Sequence, residues 1–294
     1  MEALTAPGRR YHVRMTRSSP SGGALSGARI VVFDTETTGL SPVRDHVVEI
    51  AAIALEGGTE TGRFEELIDP GVPMPPEVTA LHGIDDGMVR GKPRFAEVAS
   101  RFMDFAGDAI LAAHNAPYDI AMILGPGLAQ GLSPAGNPVI DTCRLSRRLI
   151  DAPNYRLGTI AAKLGIDITR AHRAMPDTEA TTAVLVECLK RMGASATMAD
   201  VERVSSAKIR FGSGSASGWR IPDRLAAITE ALERGSSAKI VYSGGSHGDA
   251  PRTITPLFFL EIAGHLNVAA LCHLDASLKN FRMAQIREAR HASA

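Results

Sequence analysis

Apolar residues recur at two different periods along this chain, and the switches between them mark out its elements. Residues 29–33 are almost wholly apolar and β-rich and run into Asp34, the pattern of a central strand buried on both faces. Two further runs, residues 47–55 and 63–68, are separated by Glu56-Gly57-Gly58, which predicts an antiparallel meander with tight connections. Between residues 93 and 105 the spacing changes: Phe95, Val98, Ala99, Phe102 and Phe105 predict an amphipathic helix with one buried stripe. Residues 109–113 return to strand. A short helix at 117–124 follows, then a strand at 139–141 and helices at 143–150, 157–164 and 177–192, with Gly165 as a helix stop. Three strands followed by alternating helices and strands predict an α/β layered domain with a mixed sheet over residues 29–192.

Residues 193–218 break this pattern. Ser205-Ser206 and the run from Gly212 to Gly218 offer little to bury, and they predict a Ser/Gly-rich linker. Beyond it, residues 222–233 have Leu225, Ile228 and Leu232 at helical spacing, and residues 239–242, 253–262 and 266–272 are strand-like, giving a small, mostly β domain over 219–294. The first 28 residues contain Arg9, Arg10, Arg14 and Arg17 but no apolar run long enough for a signal-peptide core or a membrane helix. They are expected to be a disordered basic tail.

Composition narrows the picture only slightly. Lys and Arg total 32, as do Asp and Glu, so no global positive field draws the chain to a polyanion, and any such binding must use local patches. Cys143, Cys188 and Cys272 lack the paired spacing of zinc or redox sites, which suits a reducing cytoplasm.

Three clusters carry candidate chemistry. In Asp34-Thr35-Glu36-Thr37-Thr38-Gly39, two carboxylates two positions apart at a strand end share one face and are able to share a cation, while Thr37, Thr38 and Gly39 let the chain turn closely past a ligand; alone, the pair is equally a solvated turn. His114-Asn115-Ala116-Pro117-Tyr118-Asp119 follows a strand and adds a third carboxylate; alone, it is equally a helix start with Asp119 at the positive end. His172-Arg173-Ala174-Met175-Pro176-Asp177 sets an imidazole just before a helix that Asp177 opens, and alone it too is a helix start beside a surface histidine.

Taken together and in this order, the clusters resemble the DEDDh 3′-to-5′ exonuclease family, which includes the proofreading subunit of bacterial DNA polymerase III and ribonuclease T. The resemblance extends through His82-Gly83-Ile84, Ile140-Asp141-Thr142 with Leu145-Ser146-Arg147, and residues 157–165. It implies a ribonuclease H-like mixed sheet flanked by helices. It also implies that Asp34, Glu36, Asp119 and Asp177 hold two Mg²⁺ or Mn²⁺ ions, with His172 as general base. Hard divalent cations prefer carboxylate oxygens, and an imidazole accepts a proton near neutral pH. Thr37 and Leu40 are implied to contact the terminal nucleotide, Leu40 as an apolar wedge, with Asn115 and Tyr118 nearby; Leu40 is equally a core candidate and Tyr118 a packing aromatic. His82 is expected to be structural, and His46, His247 and His291 to be ordinary surface histidines.

From Lys239 onward the sequence resembles a WYL domain, a small SH3-like β-barrel. The matching pieces are Ile240-Val241-Tyr242, residues 252–257, and residues 266–272 leading to Phe281-Arg282-Met283. At the signature position stands Leu266-Asn267-Val268, a departure from Trp-Tyr-Leu. The resemblance makes Tyr242, Arg252, His273 and Arg282 candidates for a nucleic-acid or nucleotide-like ligand. The leading expectation is therefore a metal-dependent exonuclease acting on single-stranded DNA or RNA with a free 3′ end, in replication or repair, with a polymerase or repair complex as partner and no membrane association. RNA 3′-end trimming and a non-catalytic nucleic-acid-binding or regulatory role are the alternatives. The 2′-hydroxyl contacts that separate DNA from RNA leave no mark in the sequence.

Overall fold

Val31 and Phe33 point to one side of the first strand and Ile30 and Val32 to the other, and all four are buried, which sets this strand at the middle of a two-faced sheet. The protein is described here from a computed structural model covering residues 23–42, 44–129, 132, 136–168, 171–212, 221–243 and 248–292. Most of the expected basic tail, with its four arginines, lies outside the described residues, as do residues 213–220 and His247. The end of that tail is packed: Leu25 is 4% exposed and its N–H donates to the Ala196 carbonyl at 2.8 Å.

The strands β1 (Arg29–Thr37), β2 (Val47–Glu56) and β3 (Thr59–Leu67) form the antiparallel meander. Then come α1 (Pro76–His82), α2 (Asp86–Val89), α3 (Phe95–Ala106), β4 (Ile110–Ala113), α4 (Pro117–Ala129), β5 (Pro138–Asp141), α5 (Thr142–Leu149), α6 (Leu157–Leu164) and α7 (Ala174–Met192). β4 and β5 run parallel to β1, so the sheet is mixed. Helices α3 and α4 cover the face of Val31 and Phe33, and α5, α6 and α7 cover the face of Ile30 and Val32. This is a ribonuclease H-like arrangement of a mixed sheet between helical layers.

Residues 193–212, expected as the first part of a linker, contain regular structure instead. Residues 198–205 form α8 (Met198–Ser205), opened by a capping box of Thr197 and Asp200, and residues 207–210 form β6 (Ala207–Arg210). Met198, Val201, Ile209 and Phe211 are buried, and the neighbouring Ser and Gly hid them from a compositional reading. β6 pairs with β5 through Val139↔Ile209 on one side, and on the other with the C-terminal strand β8 through Ile209↔Leu260.

The remaining elements are α9 (Ala226–Glu233), β7 (Ala238–Tyr242), β8 (Arg252–Ile262), β9 (His265–Cys272), β10 (Ser277–Arg282) and β11 (Ile286–His291). The sheet therefore runs without a break in the order β10-β9-β8-β6-β5-β4-β1-β2-β3, with β7 joining β8 to β11. Phe211 packs against Phe33 and Phe102, with ring centroids 6.4 and 6.5 Å away, in the same core as Leu257, Phe258 and Leu260 of β8. The C-terminal strands keep a core of their own around Ile228, Ile254, Val268 and Phe281. Among the described residues no helix is long and apolar enough to cross a membrane.

Candidate functional site

Strand parity decides which carboxylates meet. β1 continues through Thr37 and does not stop at Phe33, so Asp34 and Glu36 lie in the strand and share the α7 face with Ile30 and Val32. α7 begins at Ala174, three residues earlier than its sequence suggests, and holds Asp177 in its first turn. One carboxylate oxygen from each of Asp34, Glu36 and Asp177 comes within 4.8 Å of the others.

Asp119 reaches the same strand from the opposite face, at the start of α4. Its Oδ1 accepts from the Thr35 backbone N–H at 3.1 Å and the Thr35 hydroxyl at 2.7 Å. One of its oxygens is thus held by Thr35, whose side chain has the other parity. Asp119 is 3% exposed and remains near enough to act on Asp34.

Burial and neighbouring charge act against ionisation throughout the cluster. Burial and then the neighbouring Asp119 carboxylate push Asp34 well above the ordinary carboxylate range. Burial, with Asp177 next, pushes Glu36 up to about 8. Burial pushes Asp119 up to about 7 against the pull of its Thr35 hydrogen bonds, and it also raises Asp177.

His172 is exposed and sits at φ 61°, a left-handed conformation unusual for a residue other than glycine. Its backbone N–H donates to Asp177 Oδ2 at 3.2 Å. The next residue, Arg173, sends Nε to Glu49 Oε2 at 3.0 Å, and the Ala174 N–H donates to the same oxygen at 2.9 Å. Glu49 is fully buried on β2, directly opposite Glu36. Neither member of this ion pair was expected from the sequence, although Glu49 is the sole charged residue inside the apolar run of β2.

A pocket of about 520 Å³ opens beside Glu36, lined by Thr37, Leu40, Leu81, His82 and Tyr118 among others. Thr37 Oγ1 donates to the Gly39 carbonyl at 2.7 Å, and the Tyr118 hydroxyl donates to that carbonyl at 3.0 Å, which stiffens the wall. Leu40 and Leu81 present bare side chains at 78% and 55% exposure, so Leu40 is no core residue. A Cβ at Gly39 would lie 2.5 Å from Asp45 Oδ2, so a larger residue there would have to displace that carboxylate. That same oxygen accepts from the Ser41 N–H at 2.7 Å. Asn115 does not line the pocket; it is exposed at φ 68° and its N–H donates to Asp141 Oδ1 at 3.2 Å. His82 is buried at the end of α1 with Nδ1 accepting from the Ile84 N–H at 3.0 Å, leaving Nε2 beside the Thr37 carbonyl without a well-formed hydrogen bond. His46 is half-buried, its N–H held by the Thr38 hydroxyl at 2.9 Å, and is not the surface residue expected. His291 is exposed and pairs with Glu230 at 3.1 Å.

The four C-terminal candidates do not form one cluster. Arg252 is 5% exposed and points inward with Ile254, its guanidinium 5.7 Å from the Tyr242 ring centroid and its Nη2 on the Gly248 carbonyl. The Tyr242 hydroxyl donates to Gln285 at 2.6 Å and accepts from the Arg282 N–H at 3.4 Å. His273 lies on the outer face, paired with Thr255 Oγ1 at 2.8 Å. Alternation along β8 separates Arg252 from Thr255 and its partner.

Comparison with known proteins agrees with this geometry. The RNase_T exonuclease family profile matches residues 31–185, over half of the chain, and the chain belongs to that family. A WYL-domain profile matches residues 223–291. The DNA polymerase III PolC-type protein of Bacillus cereus is 45% identical over 167 residues, 56% of this chain and 12% of that protein. That of Bacillus subtilis is 41% identical over 162 residues, 54% of this chain and 11% of that protein. The chain thus spans only about an eighth of the length of the curated relatives it matches. A structure of exonuclease I superposes with a TM-score of 0.53 at 18% identity, covering 83% of this chain and 55% of that one. E. coli exonuclease I in complex with a dT13 oligonucleotide gives 0.51 at 18%, with the same coverage. These likenesses concern the fold, and at 83% of the chain they extend past residue 185 into the C-terminal strands.

Proposed function

We propose that this protein is a 3′-to-5′ exonuclease that removes nucleotides from single-stranded nucleic acid with two divalent cations, Mg²⁺ or Mn²⁺. The carrying observation is the convergence of Asp34, Glu36 and Asp177 within 4.8 Å, with Asp119 behind them. Their carboxylates, pushed upward by burial and mutual repulsion, are the donor set that hard cations prefer. Asp34, Glu36, Asp119 and Asp177 would hold the ions, which when bound offset the phosphate's charge and acidify the attacking water.

The chain's own groups do the rest. His172, on an exposed loop beside Asp177, takes the proton of the attacking water as general base. The terminal nucleotide enters the pocket beside Glu36, where Leu40 and Leu81 offer apolar surface to a base and the hydrogen bonds of Thr37 and Tyr118 to the Gly39 carbonyl fix the wall beneath it. Belonging to the exonuclease family and the likeness to PolC-type proteins support this reading.

The test uses 5′-labelled single-stranded DNA and RNA in parallel, with Mg²⁺ or Mn²⁺. The expected result is a ladder shortening from the 3′ end, absent in Asp34→Ala and slowed on the order of 10²-fold or more in kcat by His172→Ala. Undiminished shortening by Asp34→Ala would remove the proposed site. The DNA and RNA arms report which sugar is preferred.

A further inference from the structure

We infer that Arg173 and Glu49 form a positioning clamp that fixes the His172 loop relative to β1 and so aims its imidazole at the carboxylate cluster, an inference that rests on reading His172 as the general base. Arg173 is the N-cap residue of α7 yet gives that helix no side-chain cap. The cap comes instead from another strand: Glu49 Oε2 accepts the Ala174 N–H at 2.9 Å, placing a carboxylate at the positive end of the 19-residue helix.

The same carboxylate holds Arg173 through Nε at 3.0 and 3.2 Å and through Nη2, a paired contact with the residue that follows His172. Glu49 is also the cross-strand partner of Glu36, so the reference point of the clamp is the strand pair that carries the metal-binding carboxylates. His172 is held at φ 61°, against the preference of an L-residue, between this contact and its own N–H bond to Asp177. The exposed imidazole itself makes no hydrogen bond among the described residues, so without the clamp the loop is free to relax toward ordinary backbone angles.

Arg173→Lys keeps the charge but loses the planar fork that engages both Glu49 oxygens. Steady-state kinetics on labelled single-stranded DNA should show kcat falling about 10- to 100-fold. KM should stay within about threefold of wild type. Mn²⁺ binding followed by calorimetry should be unchanged, because the four carboxylates remain.

The decisive variant is Arg173→Lys combined with His172→Ala. If the clamp works through His172, the double variant is no slower than His172→Ala alone. Losses that multiply, a loss confined to KM, or lost Mn²⁺ affinity would overturn the clamp. Glu49→Gln, which keeps the shape of the acceptor, repeats the test should Arg173→Lys fail to fold; if neither folds, the pair serves stability alone and the inference is wrong. Wild-type turnover by His172→Ala would instead remove the general-base reading, and the clamp with it.

Discussion

Four carboxylates crowded at the end of a buried strand are a liability until a cation arrives, and this makes stability depend on pH. Asp34, Glu36, Asp119 and Asp177 all have folded-state pKa values above the ordinary range, Glu36 at about 8 and Asp119 at about 7. Such groups bind more protons folded than unfolded. Their contribution is full below about pH 4 and is lost as pH rises through about 7 to 8. In EDTA the melting temperature should therefore fall by about 5 °C or more between pH 5 and 8, and Mn²⁺ or Asp34→Asn should recover much of that loss at pH 8. A melting temperature in EDTA that is flat over this range would contradict the crowding. The acids themselves were legible in sequence, because two carboxylates at i and i+2 after an apolar strand must share a face. The Thr35 hold on Asp119 and the Glu49–Arg173 pair were not, since they depend on packing and register that join residues 84 and 124 positions apart.

At the scale of elements, the periodic segments were readable and the short ones were not. α3, α5 and α6 lie within two residues of their expected bounds because each buries a single face, apolar in α3 and α6 and centred on Leu145 in α5. α1 and α2 went unread; they are short and show little periodicity. β6 was lost for a different reason: four residues with two buried side chains, Ala207 and Ile209, gain strand character only from pairing on both edges. Phe211 closes this element and is fully buried against Phe33 and Phe102. Phe211→Ala should cost about 3–5 kcal/mol. Because the core around Phe211 includes Phe33 of β1 and Phe258 of β8, differential scanning calorimetry should show the whole transition moving down together. A split trace in which only one half shifts would mean that β6 is a tether and not a shared core element.

For the whole molecule, the unbroken sheet makes the C-terminal strands a continuation of the exonuclease architecture rather than a module on a flexible leash. The inward Arg252 and the separation of His273 from Tyr242 leave the expected ligand cluster of that region unassembled. With 32 acidic and 32 basic residues, the chain has no net field to gather nucleic acid, which throws the burden of substrate capture on the local site. Everything proposed for that site depends on cations seated among acids from β1, α4 and α7. Anomalous diffraction at the manganese edge, from crystals grown with Mn²⁺ and a nucleoside 5′-monophosphate, tests this most directly. The account predicts manganese peaks bridging Asp34, Glu36 and Asp177, with the nucleoside in the pocket beside Leu40; the absence of manganese at these carboxylates under saturating metal would contradict it.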